Sequence, residues 1–170
     1  LQRLFGARIE SVGSRTERNE RMEQVAAEAA RAGKRVLVVP LGASTPRGAL
    51  GYVRATLELG EQLNTTQSDG GKTWVVVSAS SAGTLAGLLL GLAIAGLDFV
   101  QLVGVSPDDP GPQIAANARQ IAQAAAELIG YTLELPDDRP IVLDGYVGEG
   151  YGIPTKESQQ AIEVFAHSEG

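Results

Sequence analysis

Residues 73–95 read TWVVVSASSAGTLAGLLLGLAIA, and this stretch decides the fold. Trp74–Val77 is an aromatic and β-branched run, the composition of a strand. Ser78 to Ala82 are all small, and from Gly83 to Ala95 apolar residues lie on every side of a helical projection, including Leu85, Leu88, Leu89, Leu92 and Ile94. A helix that is apolar all round is a buried one. Strand, tight turn and buried helix make one βα unit, and such units assemble into a parallel sheet covered by helices.

Outward from this unit the pattern repeats. Arg8–Val12, Arg35–Val39, Phe99–Val105 and Ile141–Leu143 are further strand-like runs, each followed by Gly, Ser, Pro or Asp and then a helical pattern. The runs beginning near 36 and 74 are nearly continuous in apolar residues and are expected at the centre of the sheet. Ser14 and Glu17 read as a capping box ahead of Met22, Val25, Ala26 and Ala29, with Gly33 as the stop. Thr45 before Pro46 caps a second helix that carries Ala49, Leu50, Val53 and Leu57 and ends near Leu63. Ile114, Ala118, Ile121, Ala125 and Leu128 mark a helix closed by Gly130, and another runs from Thr155 to about Ser168. Tyr131–Leu135 reads as a short edge strand, and the polar run NTTQSDGGK, Asn64–Lys72, as a mobile loop. The expected fold is α/β: a single domain over residues 1–170, a three-layer sandwich with a mainly parallel, about five-stranded sheet of Rossmann-like or flavodoxin-like type.

Composition narrows the function. With 44% hydrophobic but only 5% aromatic residues, the core is built from Val, Leu, Ile and Ala. A net charge of −6 without any Lys/Arg cluster repels a phosphate backbone, so nucleic acid is not an expected partner. There is no cysteine, which excludes disulfides, thiolate catalysis and thiolate-bound zinc, and no metal is expected. The longest uncharged stretch, Thr73 to Leu97, is broken by Ser78, Ser80, Ser81 and glycines and does not read as a membrane span. With no signal-like amino end, a cytoplasmic protein is expected.

Ligands of such sheets bind beyond the carboxyl ends of the strands. There Ser78-Ala79-Ser80-Ser81-Ala82-Gly83-Thr84 runs straight into the apolar helix; small residues let the backbone approach an anion, and hydroxyls and helix-end amides offer donors. The same residues would serve a tight connection that merely needs small side chains. Leu41-Gly42-Ala43-Ser44-Thr45-Pro46 is a similar turn, either a second wall of that site or simply the cap of the next helix. Asp144 to Pro154 holds four glycines and two tyrosines, the composition of a ligand-wrapping loop or of a connector.

Through LFGARIESV, VVPLGASTPRGALGYVRATLELGEQL, SASSAGTLAGLLLGL and GYVGEGYGIPTKESQQAIEVFAHSEG, the chain resembles the D-cysteine desulfhydrase and 1-aminocyclopropane-1-carboxylate (ACC) deaminase family, lyases that use pyridoxal phosphate on the tryptophan-synthase-β fold. The resemblance implies that Ser80, Ser81, Ala82, Gly83 and Thr84 form the cradle of the cofactor phosphate, and that Tyr151, in GYGIP, is the tyrosine facing cofactor and substrate. It implies small-molecule partners, a phosphate ligand or an amino-acid substrate. Residues 1–35 would belong mostly to the small lobe of the parent enzyme and 36–170 to the large lobe.

Against the family pattern, the Schiff-base lysine would precede Leu1, and none of Lys34, Lys72 or Lys156 matches it. Ser80 stands where the family commonly has glycine, and Ala43 interrupts a Gly-Gly pair. The expectation is therefore a truncated or engineered portion of such an enzyme, which binds pyridoxal phosphate or phosphate weakly at most and does not turn over D-cysteine. Truncation would also leave apolar surface for a second copy to cover. Two other readings stand beside this one. One is an engineered scaffold without a ligand. The other is a hydrolase in which Ala79-Ser80-Ser81-Ala82-Gly83 is a nucleophile elbow, with Ser81, Asp144 and His167 in the order of an α/β-hydrolase triad.

Overall fold

The strand-turn-helix stretch folds as its residues dictate, into strand β1 (Thr73–Ser78) and helix α3 (Gly83–Ala95). The computed structural model describes residues 1–66 and 71–170. They divide into two compact units, Leu1–Val39 and Pro40–Gly170.

The first unit is built on helix α1 (Arg15–Arg31). Ser14 Oγ accepts from the Glu17 amide at 3.1 Å, but the Glu17 carboxylate accepts from the amide of Gly13 at 2.6 Å, so the return half of the expected capping box lands one residue early. Gly33, at φ 74°, terminates the helix in the left-handed region that glycine enters freely. The flanking runs Arg8–Val12 and Arg35–Val39, expected as strands, join no ladder. β-branched residues favour an extended backbone, but a strand also needs a neighbouring backbone to receive its amides and carbonyls. Their side chains are accordingly open, with Leu37 86% exposed. Arg21 ties the first run to the helix, bonding Glu10 at 2.7 Å and Glu28 at 3.3 Å.

The second unit contains α2 (Pro46–Thr66), β1, α3, β2 (Val100–Val105), α4 (Gly111–Leu128), β3 (Ile141–Leu143) and α5 (Lys156–Glu169). The α/β class and the parallel sheet are as expected, but among the described residues the sheet has three strands rather than five, in the order β1-β2-β3. Thr73 to Ser78 pair with Val100 to Val105, and Val103 to Val105 pair with Ile141 to Leu143. The central strand is therefore β2. β1 is an edge strand whose residues alternate, with Val75 and Val77 turned to the core and Trp74 and Val76 exposed. Tyr131–Leu135 is not an edge strand; it packs as irregular chain, with Leu133 buried and the Tyr131 hydroxyl donating to the Ala93 carbonyl at 3.2 Å.

The core lies between α3, α4 and β2: Leu85, Leu90, Leu102 and Ile114 are fully enclosed, with Ala118, Ala122 and Ala125 along α4. α2 closes on α3 at glycines. A Cβ on Gly91 would come within 2.5 Å of the Thr56 side chain, so the two helices approach more closely than side chains would allow. α2 runs past its expected end at Leu63, to Thr66. Of the expected mobile loop, 67–70 lie outside the described residues. α5 is capped by Thr155 and Ser158 and buries no residue. Among the described residues no helix is long and apolar enough to cross a membrane, and none of their acidic and histidine side chains form a metal-binding cluster.

Candidate functional site

The carboxyl edge of the sheet is where three turns meet. The ladder extends past each strand, the Ala79 amide donating to the Val105 carbonyl at 2.9 Å and the Ser106 amide to the Leu143 carbonyl at 2.8 Å. This aligns the turn after β1 (Ala79–Ala82) with the turn after β2 (Ser106–Pro110) and with Asp144 after β3.

Ser80, Ser81, Ala82, Gly83 and Thr84 sit together in the first of these turns and in the opening of α3. Ala82 is the residue before the helix and adopts φ 67°, ψ −7°, left-handed without being glycine. Ala82 itself has no side chain that can cap this end. Among the described residues the amides of Ser81, Ala82 and Thr84 have no acceptor, as expected of helix-end donors left for a ligand or for water. The Gly83 amide differs, because it donates to the Ser44 hydroxyl at 3.1 Å. Ser44 in turn donates to the Ser81 hydroxyl at 2.8 Å. The turn containing Ser44 thus forms one wall, while Thr45 caps α2 through the Gly48 amide at 3.0 Å; the two roles fall to adjacent residues.

The two positions where the resemblance implies glycine, Ser80 and Ala43, behave differently. Ser80 does not occupy the left-handed region, so its Cβ is tolerated there. Ala43 does, at φ 50°, a conformation that costs an L-residue about 1 kcal/mol or more.

The Ser80 hydroxyl is engaged within the protein. It donates to Asp108 Oδ2 at 2.7 Å, and Asp108 is held in turn by the Asp109 amide on Oδ1 at 2.8 Å and by its own amide on the buried Ser106 hydroxyl at 3.2 Å. Asp108 was not singled out by sequence reasoning; the available signal was an acidic turn, SPDDP, directly after a central strand. The turn that holds Ser44 was read as a candidate second wall, but nothing in its small residues marked Ser44 as the one that reaches the site.

Tyr151 lies in the loop after β3, in a turn with Gly152, and is 70% exposed. The hydrolase residues are each engaged elsewhere. Asp144 Oδ2 accepts from the Gly111 amide at 2.6 Å and so caps α4, His167 Nδ1 meets the Glu163 carbonyl of its own helix at 2.7 Å, and Ser81 is bonded to Ser44. No triad is assembled.

The whole chain, residues 1–170, matches the family model of the pyridoxal-phosphate dependent enzymes. It is also similar to a crystal structure described as an ACC deaminase homologue, at 32% sequence identity and a TM-score of 0.78 over 99% of this chain. The chain spans about half of that structure's length, 50%. The donors at the start of α3 fit the phosphate of such a cofactor: three amides without acceptors and two hydroxyls at the positive end of an uncharged helix. By a family match over its whole length, the chain belongs to the pyridoxal-phosphate-dependent enzymes.

Proposed function

We propose that this chain carries the phosphate-binding part of a pyridoxal-phosphate-dependent lyase or deaminase whose substrate is a small amino acid such as D-cysteine or ACC. The observation that carries the reading is the set of amides of Ser81, Ala82 and Thr84 without acceptors, at the start of a buried helix on the carboxyl edge of a parallel sheet. The hydroxyls of Ser81 and Thr84 add donors to the same anion. Pyridoxal phosphate, when bound, supplies an electron sink. This chain's share is to anchor and orient its phosphate. Tyr151 is the residue proposed to face the substrate, which is consistent with its exposed ring in the loop beyond β3.

Residues 1–170 by themselves are proposed to bind pyridoxal phosphate weakly and not to turn over D-cysteine. Lys34, Lys72 and Lys156 are all exposed. Lys72 precedes β1, a strand length of roughly 20 Å from the Ser80 turn. The Asp108 carboxylate beside Ser80 opposes a second negative charge.

Thermal melting with ligand tests the reading. For a dissociation constant on the order of 1 mM, 10 mM pyridoxal phosphate or inorganic phosphate stabilises the folded chain by about 1.4 kcal/mol, a rise of roughly 3–6 °C. An unchanged melting temperature favours a ligand-free scaffold. Intact mass after borohydride reduction is expected to show no pyridoxyl adduct, and an adduct on any of the three lysines, with pyruvate released from D-cysteine, contradicts the proposed inactivity.

A further inference from the structure

Ser44 lies outside the segment that the family pattern marks as the phosphate cradle, yet its hydroxyl reaches into it. It accepts from the Gly83 amide at 3.1 Å and donates to the Ser81 hydroxyl at 2.8 Å. A serine hydroxyl has one proton and two lone pairs, so both bonds are made at once. Ser81, having accepted from Ser44, keeps its own proton to give to a ligand, and a chain of hydroxyls so polarised donates more strongly.

The backbone around Ser44 is shaped for this approach. Gly42 and Ala43 are consecutive left-handed residues, at φ 67° and 50°. A Cβ on Gly42 would strike the Ser81 side chain, and a Cβ on Gly83 would come within 2.6 Å of the Ser44 hydroxyl. An alanine persists in that conformation only where its surroundings over-determine it, and such positions gather at ligand clamps.

We infer that Ser44 is a positioning residue of the phosphate site: its hydroxyl occupies the Gly83 amide as an anion oxygen would, so a phosphate is held by the amides of Ser81, Ala82 and Thr84 and not by that of Gly83. The inference rests on the phosphate reading above and adds to it which donors are spent and what spends them. Gly83 remains obligatory because it leaves room for Ser44, not because its amide reaches the ligand.

The test is a titration of this chain with inorganic phosphate followed by amide NMR. The amides of Ser81, Ala82 and Thr84 are expected to move, with Gly83 moving least. Ser44→Ala is expected to weaken phosphate binding roughly fivefold, and Ser44→Thr, which keeps the hydroxyl, to restore it. With phosphate bound, a Gly83 amide that moves as far as its neighbours, or a Ser44→Ala chain that binds as tightly as the parent, overturns the role of Ser44 and leaves the phosphate site standing. No movement at Ser81, Ala82 or Thr84 overturns the phosphate site and Ser44's role together. If Ser44→Ala does not fold, the titration of the unsubstituted chain still decides.

Discussion

The Ser80 hydroxyl donates to the Asp108 carboxylate at 2.7 Å, tying the turn after β1 to the turn after β2. The Asp108 carboxyl group therefore sits beside the amides proposed to receive a phosphate. Asp108→Asn keeps an oxygen for the Asp109 amide and removes the charge. Inorganic phosphate is expected to bind roughly two- to tenfold more tightly to this variant, the size of a single unit charge acting across several ångströms of partly screened space. Isothermal titration at low salt measures it, and an equal or weaker affinity in a folded variant would show that Asp108 does not oppose the anion.

Two glycines in helices make opposite predictions. At Gly51, on α2, an added Cβ meets nothing within 4 Å, so Gly51→Ala gains helix propensity at no steric cost and is expected to stabilise by about 0.5–1 kcal/mol. At Gly91, on α3, the same methyl would run within 2.5 Å of Thr56, itself fully buried. Gly91→Ala is expected to destabilise by about 1–3 kcal/mol despite better propensity. Denaturant midpoints compare the two, and equal signs would mean that the contact between α2 and α3 yields easily.

How far the fold was legible follows from which signals are local. α3, α4 and α5 fall where capping residues, glycine stops and apolar periodicity put them, because those features act within one or two turns of chain. The parallel sheet was legible as a class, but not which of the extended segments would pair in it. Arg8–Val12 and Arg35–Val39 have strand composition, and whether they join a ladder depends on neighbours that no local window contains. The continuous apolar run of Trp74–Val77 suggested two covered faces, yet Trp74 and Val76 are exposed. Of the site, the turn Ser80–Thr84 was visible because anion chemistry needs small residues in one contiguous piece. The turn of Ser44 was visible only as a candidate wall and Asp108 not at all, since the roles of both residues come from hydrogen bonds spanning 37 and 28 residues.

Glu10 and Arg21 supply a pH-dependent contact. The side-chain hydrogen bond from Arg21 is the main cause that holds the Glu10 carboxyl below its ordinary range; desolvation opposes it, and the charges of Arg21 and Arg8 add to the lowering. A carboxylate with a lowered folded pKa contributes stability above its unfolded value and loses it as pH falls through the folded one. The contact is therefore present at neutral pH and fades below about pH 4. Both side chains are partly open to solvent, 33% and 31%, so the effect should also shrink as salt screens it. An NMR titration of the Glu10 carboxylate is expected to give a midpoint that rises toward the ordinary value in Arg21→Gln; a midpoint indifferent to that change would remove Arg21 as the cause.

Asp144 separates the structural from the hydrolytic reading of its loop. Its carboxylate accepts the Gly111 amide at 2.6 Å, at the first turn of α4. A carboxylate in that position satisfies a helix-end donor and complements the helix dipole. Asp144→Ala is expected to destabilise by about 0.5–2 kcal/mol, and Asp144→Asn, which keeps an acceptor but not the charge, by about 0.3–1 kcal/mol. Phosphate affinity should stay within roughly twofold in both, since neither substitution touches the α3 amides. Ester-cleavage assays complete the argument: a carboxylate that only caps α4 leaves the rates of Asp144→Asn and Ser81→Ala equal to that of the unsubstituted chain, whereas a triad would lose activity in both while the melting temperature of Ser81→Ala stayed unchanged.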